Sequence, residues 1–287
     1  MKFEQYKNGC FQTTCETIDE VFEAINDVCD PLNKKLFRGH SNEASYKLIS
    51  TIDRTIDQLE KTFPGKEYKR DIFIKNHLDE FRLRIRGKVD SDTFFDNDID
   101  AWALGQHYGL NTPYLDWTYT PYFAVFFCCI SKRNLEKDGC IYALDYNEIK
   151  SMNDVVDSNS ILKSKYPDKD NEFLKCKKIE VLNNRNTRLI TQNGLFTEMP
   201  YNISLDDWIE SFQHFQKRQV LSKIIIKADI KEELLEFLDK ANINYSTVYP
   251  DLFGTCTYCN ELLETKDTTV NGILMYDKIK PFIKRGK

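Results

Sequence analysis

Apolar residues recur at helical spacing in several segments of the chain. In residues 18–28 they stand three and four positions apart, and Thr17 precedes them with Glu20 three positions behind it, as in a capping box. The same spacing predicts helices over residues 67–86, 96–108, 122–130 and 231–241. Gly109 directly follows the second of these, as expected at a helix C-terminus. Residues 122–130 are apolar on every side, which predicts a buried helix.

Short runs rich in β-branched and aromatic residues predict strands between these helices. The runs cover residues 34–40, 139–146, 179–182, 188–196 and 219–229, and Gly194 interrupts the fourth. Helices and strands alternate irregularly, which favours an α+β fold over a doubly wound sheet. We therefore expect a single mixed-sheet domain with helices packed around it.

No repeat and no proline- or glycine-rich linker marks a domain boundary in the chain of 287 residues. This length suits one large domain or two small ones. We divide the chain into an N-terminal helical segment over residues 1–35, an α+β domain over residues 36–254 and a C-terminal extension over residues 255–287.

The chain is mildly acidic, with 45 acidic and 40 basic side chains and a net charge of −5. Nucleic acid is therefore not indicated as a partner, because non-specific binding depends on neutralising phosphates. The longest uncharged apolar run, residues 117–130, is shorter than the ~20 residues that span a bilayer, and no apolar leader opens the sequence. We expect a cytoplasmic protein without a membrane partner, whose nine cysteines are mostly reduced and buried.

Polar side chains that can donate, accept or titrate are densest in residues 102–118, between large apolar ones. Each candidate there also has a purely structural interpretation. Asp116 suits a helix cap or a backbone turn, His107 a hydrogen-bonded core histidine, and Trp117 core packing. The lone Cys256-x-x-Cys259 motif lacks a second pair of ligands. We predict no metal site and interpret these cysteines as packing or helix-start residues.

Four segments together resemble the FRG domain family. They are the tripeptide Phe37-Arg38-Gly39, the motif Gln-His-Tyr-Gly-Leu-x-Thr-Pro-x-Leu-Asp-Trp-Thr at residues 106–118, Arg-Leu-Ile-x-Gln-x-Gly-Leu-Phe at residues 188–196, and Tyr-Pro-Asp-Leu at residues 249–252. The resemblance covers about residues 36–254. Members of this family are mostly bacterial and often encoded near mobile and antiviral genes. The resemblance therefore implies a role in bacterial defence or a toxin-type response, while the activity of the family is poorly defined.

A more distant resemblance links the chain to ADP-ribosyltransferases of the arginine–serine–glutamate branch. Arg38, on a predicted strand before Gly39, resembles the arginine that binds the phosphates of NAD in those enzymes. A guanidinium gives such phosphates bidentate contacts, and Gly39 lets a ligand approach the backbone. Thr118, before the predicted helix, takes the place of the branch's Ser/Thr. The resemblance implies NAD as substrate, an ADP-ribosyltransferase-like fold and either ADP-ribosyl transfer to an unidentified macromolecular acceptor or NAD hydrolysis.

The chain departs from that branch at its late glutamate, which stabilises the cation-like transition state. Here the corresponding region reads Gln192-Asn193-Gly194 and then Glu198. Asp116, Glu180 and Glu198 are the candidates for the acid.

The resemblance implies a single cleft formed by these residues. The predicted ligand-binding residues are Arg38, Gly39, Gln106, Trp117, Thr118, Arg188 and Gln192, and the predicted catalytic residues are His107, Asp116 and Glu198. Arg38 would hold the pyrophosphate, and Thr118 and His107 would bond the ribose or the nicotinamide amide. Trp117 or Tyr108 would stack on a ring, and Arg188 and Gln192 would come from a neighbouring strand.

Two alternatives remain open at this stage. The first is a non-catalytic module that senses nucleotides or binds other proteins. The second is a metal-free nuclease or nucleotide hydrolase, in which His107 is the general base and Arg38 binds a phosphate beside His40 and Asp116.

Overall fold

A single sheet of eight strands organises the fold. The computed structural model describes residues 1–264 apart from residues 46, 67, 90–95 and 182–186. The strands are β1 (Glu4–Lys7), β2 (Cys10–Cys15), β3 (Leu36–His40), β4 (Tyr114–Thr118), β5 (Gly139–Leu144), β6 (Lys177–Ile179), β7 (Gly194–Glu198) and β8 (Leu221–Ile226). They lie in the order β1-β2-β8-β5-β3-β4-β7-β6. Among the described strands, β2 and β8 alone pair in parallel, so the sheet is mixed and the predicted α+β class is confirmed.

Helices cover both faces of this sheet. They are α1 (Ile18–Val28), α2 (Thr51–Thr62), α3 (Arg70–Ile85), α4 (Asp98–His107), α5 (Pro121–Cys129), α6 (Tyr146–Asp154), α7 (Ser160–Lys165), α8 (Thr187–Thr191), α9 (Leu205–Glu210), α10 (Lys231–Lys240), α11 (Tyr245–Val248) and α12 (Leu252–Glu264). The capping box at Thr17 is formed, and Gly109 has the positive φ of a helix C-terminus. None of the helices among the described residues is long and apolar enough to cross a membrane.

The first 35 residues supply two strands of the sheet as well as helix α1. Strand β2 pairs along its length with β8, and β1 pairs with β2. Residues 1–35 are therefore more than the helical segment that the sequence predicted. The alternating pattern is weak in β2, because Gln12 and two threonines fill the centre of Cys10–Cys15.

Three groups of buried side chains hold the layers together. One packs α1, α5 and α10 against β3, β5 and β8, and the second packs α6 and α9 on the opposite face. The third lies under α2, α3 and α4, where Tyr114 and Phe196 stack with their ring centroids 5.6 Å apart. Helix α5 is buried as predicted, because its apolar side chains face both the sheet and α10.

Candidate functional site

The candidate site lies where strands β3 and β4 separate. Only Phe37 and Thr118 pair between these two strands, although β3 pairs along its whole length with β5 on its other side. A gap therefore opens in the middle of the sheet. Helix α4 and the segment around Arg188 border this gap.

The gap leads into a cavity of about 290 Å³. The predicted site residues that line it are Arg38, Gly39, Gln106, His107, Asp116, Trp117, Thr118, Arg188 and Gln192. The structure thus brings together residues from four separate segments of the chain. Phe37, Ala103, Phe127, Leu189, Phe196 and Tyr249 complete the lining.

Arg38 spans the gap between the separated strands. Its Nη1 donates to the backbone carbonyl of Asp116 at 2.8 Å and lies 3.3 Å from Oδ2 of the same residue. Its Nε donates to Nε2 of His40 at 2.9 Å. The guanidinium thus supplies the carbonyl with a donor that strand pairing does not provide there. Arg38 thus joins strands β3 and β4 across the gap. Its Nη2 makes no hydrogen bond with any described residue.

Asp116 is the acid of the cavity, and two side chains contact its carboxylate. Oδ1 accepts a hydrogen bond from the side-chain amide of Gln106, and Oδ2 faces Arg38. The carbonyl oxygen of Gln106 accepts in turn from the hydroxyl of Thr112, which orients the amide. The Asp116 side chain is still 60% exposed, so it is held in place without being removed from solvent. This is the preorganisation that a carboxylate needs to act on a bound cation.

His107 and Arg188 meet on the other side of the cavity. Burial and the nearby charge of Arg188 lower the pKa of His107 below its ordinary value of 6.5, against a smaller opposing effect of Asp251. Nδ1 of His107 is buried and has no hydrogen-bond partner among the described residues. The guanidinium carbon of Arg188 lies 4.1 Å from the ring centroid of Tyr249, a cation–π contact. His107 is therefore neutral near pH 7, beside a fixed positive charge.

Thr118 and Gln192 hold the floor of the cavity together. The Thr118 hydroxyl donates to the Gln192 carbonyl at 2.6 Å and accepts from the Thr120 amide at 2.9 Å. The Gln192 side-chain amide donates to the Val248 carbonyl at 3.1 Å. Both residues thus use polar groups to join β4, the turn before β7 and α11.

Trp117 borders the cavity, but its indole belongs to the core. The side chain is 3% exposed, and its Nε1 donates to the hydroxyl of Thr197 at 2.9 Å. Leu115, two positions earlier on the same strand, packs in the same buried group. These contacts assign the indole to core packing, the structural interpretation that the sequence had left open.

A glycine is required at position 39 because helix α5 packs closely against the backbone there. A Cβ at this position would lie 2.0 Å from the carbonyl oxygen of Ala124 in α5. The absence of a side chain therefore allows α5 to approach the sheet at the edge of the cavity.

The structure separates two candidate acids from the cavity. Glu198 ends β7 and does not line this cavity, although Phe196, two residues earlier on the same strand, does. Glu198 lines a different cavity instead. Glu180 is exposed and bonds Lys178 and the hydroxyl of Tyr119, and these contacts lower its pKa.

Two other expectations change with the structure. Arg188 lies in the short helix α8 and not on a strand, and Gln192 lies in the turn that follows. His40 is 6% exposed and accepts from Arg38, so it does not line the cavity with His107 and Asp116. Of the four residues of the nuclease alternative, Arg38, His107 and Asp116 line the cavity and His40 does not.

Tyr249 is a polar lining residue to which the sequence assigned no role. It lies in the Tyr-Pro-Asp-Leu segment, so its motif was visible although its contact with Arg188 was not. Burial raises the pKa of its hydroxyl, so Tyr249 remains a neutral hydrogen-bonding group at the cavity.

Comparison with known proteins bears on part of this arrangement. A model of the FRG domain family matches residues 33–137, which include β3, α4, β4 and α5. Neither the curated proteins nor the solved structures contain a match to the chain. The matched region contains Arg38, Gly39 and the whole motif at residues 106–118, whereas Arg188 and Tyr249 lie outside it. The chain therefore contains an FRG domain over residues 33–137.

Proposed function

We propose that the cavity binds a nucleotide, with NAD as its substrate, and that the protein cleaves the bond between nicotinamide and ribose. The observation that carries this proposal is the charge arrangement at the cavity. Two guanidiniums, those of Arg38 and Arg188, face the same space as one oriented carboxylate, that of Asp116. A dinucleotide offers the matching charges, because its pyrophosphate is anionic and its nicotinamide ribose becomes cation-like during cleavage.

Arg188 is the stronger candidate for the phosphates. The guanidinium of Arg38 already bonds His40 and Asp116, which leaves Nη2 for a ligand. Arg188 stacks on the ring of Tyr249 and also hydrogen-bonds the Tyr249 side chain, and both contacts fix its guanidinium. A guanidinium has several further N–H donors, which remain for a ligand. The cavity volume of about 290 Å³ lies at the lower end of small-molecule sites. It therefore suits one half of the dinucleotide, with the other half outside.

The proposed reaction uses two titratable groups of the cavity, Asp116 and His107. The bond between C1′ of the ribose and the nicotinamide nitrogen breaks, and its electron pair leaves with nicotinamide. The Asp116 carboxylate stabilises the positive charge that develops at C1′. Water or an acceptor nucleophile then forms the new bond at C1′ and loses a proton to neutral His107. Water makes the protein an NAD glycohydrolase, and a macromolecular acceptor makes it an ADP-ribosyltransferase.

The test of the proposal is nicotinamide release from NAD, measured by chromatography for wild type and three variants. Asp116→Asn should lower kcat by about 10²–10³, the usual effect of removing one transition-state contact. Arg188→Ala should mainly weaken NAD binding. The matched control is Glu180→Gln, because this acid lies outside the cavity, and it should retain wild-type activity. The proposal would be refuted if wild type showed no nicotinamide release and no thermal stabilisation by NAD. Activity of Asp116→Asn equal to that of wild type would also refute it.

One observation favours a second candidate function, a non-catalytic nucleotide sensor. The Asp116 carboxylate is already occupied by Gln106 and Arg38, so it acts in part as a structural hub. A sensor would show NAD-dependent stabilisation that needs Arg188, with no nicotinamide released. In this case Asp116→Asn would lower the melting temperature instead of changing an activity.

A further inference from the structure

A second cavity, of about 470 Å³, lies on the side of the sheet that α3 and α4 cover. Its walls include α3, the start of α4, the segment at residues 173–177 and the far end of β7. Glu198 ends β7 and shares a sheet face with Phe196, two positions earlier, whose ring packs under the helices. Glu198 lines this second cavity and not the cavity at the gap between β3 and β4.

The Glu198 carboxylate, like that of Asp79, forms no ion pair with a described residue, whereas the other acids of the cavity do. Three other carboxylates of the cavity each bond a base, namely Asp53 with Arg70, Asp71 with Lys169, and Asp98 with Arg82. Glu198 is half-buried and makes no hydrogen bond or ion pair with any residue that the structure describes. Burial raises its pKa against the opposing charge of Lys177. Such a group gains from a cationic partner, because a desolvated and unpaired carboxylate is costly.

The aromatic surface of the cavity also suits a positively charged organic group. Among the described lining residues, the acids are Asp53, Asp71, Asp79, Asp98 and Glu198, and the bases are Lys75, Arg82, Lys175 and Lys177. Arg70 and Lys169, which do not line the cavity, pair with Asp53 and Asp71, so the charges around the cavity nearly balance. Trp102, Phe173 and Tyr201 provide aromatic surface in the same lining. The ammonium of Lys169 lies 4.9 Å from the ring centroid of Phe173 and 5.5 Å from that of Tyr201, so these rings already bind one cation.

We propose that this cavity is a ligand site for a small organic cation, an alkylguanidinium or alkylammonium, whose charged end donates to the Glu198 carboxylate. The alkyl part of the ligand would lie against the aromatic side chains. This proposal is independent of the nucleotide proposal, because no residue lines both cavities. The same chemistry is offered by a free amine and by an arginine side chain of another protein, and the experiment separates these sources.

Isothermal titration of the full chain tests the site with agmatine and putrescine, and with a blocked Gly-Arg-Gly peptide as the protein-derived source. We expect binding of a free cation that weakens roughly tenfold or more in Glu198→Gln, which removes one charge-assisted hydrogen bond. Glu180→Gln is the matched control and should bind as wild type does. Binding of the peptide alone, lost in Glu198→Gln, would identify a protein side chain as the source. Binding by none of the three probes, or equal binding by Glu198→Gln, would overturn the proposal.

A second variant keeps the test decisive should Glu198→Gln fail to fold. Lys177 lies in the cavity, and its charge competes with a ligand for the carboxylate of Glu198. Lys177→Gln should therefore tighten agmatine binding, by roughly threefold or more for an interaction of this kind. Unchanged or weaker binding by Lys177→Gln would contradict the assignment of Glu198 as the cation ligand.

Discussion

The most demanding prediction concerns Gly39, where a single methyl group tests the contact between the sheet and helix α5. In Gly39→Ala the new Cβ would lie 2.0 Å from the carbonyl oxygen of Ala124 and 2.8 Å from the amide nitrogen of Cys128. Real Cβ atoms essentially never approach closer than 3.0 Å. The backbone of α5 must therefore move by about 1 Å, because neither atom belongs to a side chain that can turn away.

The movement of α5 should lower the free energy of unfolding. Overpacking a core costs about 1–3 kcal/mol when side chains can adjust, and more when backbone must move. We therefore expect Gly39→Ala to lose about 3 kcal/mol or more of a total stability of about 5–15 kcal/mol. Urea unfolding followed by circular dichroism measures this loss. Displacement of α5 also moves Phe127, which lines the cavity, so NAD-dependent stabilisation should fall as well.

Gly87→Ala is the matched control for this substitution. Gly87 has a φ of +70°, and a Cβ there would meet nothing within 4 Å. This variant therefore measures the cost of the left-handed backbone alone, about 1–2 kcal/mol. A loss in Gly39→Ala that is no larger than the loss in Gly87→Ala would refute the close contact between Gly39 and α5.

Three further predictions concern buried partners and a titrating group. Trp117→Phe removes the donor of the buried Thr197 hydroxyl and should cost about 2 kcal/mol in urea unfolding; an unchanged midpoint would contradict that bond. Arg70→Ala leaves the buried Asp53 carboxylate without its base and should cost about 3–5 kcal/mol by the same measurement, whereas a loss below about 1 kcal/mol would mean that the pair is solvated. Because the pKa of His107 is lowered on folding, the unfolded chain binds more protons just below pH 6.5, so stability should fall as the pH drops from 6.5 towards the folded pKa. His107→Gln should flatten that part of the melting temperature profile between pH 5 and 7, and an identical profile would assign the effect to another group.

Local patterns predicted the elements whose formation depends mostly on their own residues. The capping box at Thr17 and the apolar segment of α5 both appear where expected, because each satisfies a local requirement for hydrogen bonding or burial. Strand β2 was missed because its stability comes from pairing with β8, which lies more than 200 positions away in the sequence. Residues 188–196 were assigned to one strand because their apolar pattern does not separate a five-residue helix from the strand that follows.

The candidate site was more predictable in its membership than in its chemistry. Motif reasoning identified nine residues that line one cavity, since a motif reports which positions act together. It could not assign their contacts, which depend on the gap between β3 and β4. Glu198 was misplaced for a related reason. Its place along the sheet depends on the length of β7, and the sequence alone does not show how far along the sheet that strand carries Glu198.

Some residues of the cavity maintain its shape, and others are left to bind a ligand. Arg38 and Gly39, neighbours in the matched tripeptide, both serve the gap, because one bridges its edges and the other lets α5 approach. Under the proposed function, the contacts left for a nucleotide fall more heavily on Arg188 and Tyr249, which lie beyond the matched residues 33–137. The FRG domain would then supply the opening and its oriented acid, while later parts of the chain would select the ligand. Exchange of Arg188 should consequently weaken nucleotide binding, whereas exchange of Arg38 should first change whether the gap is held open.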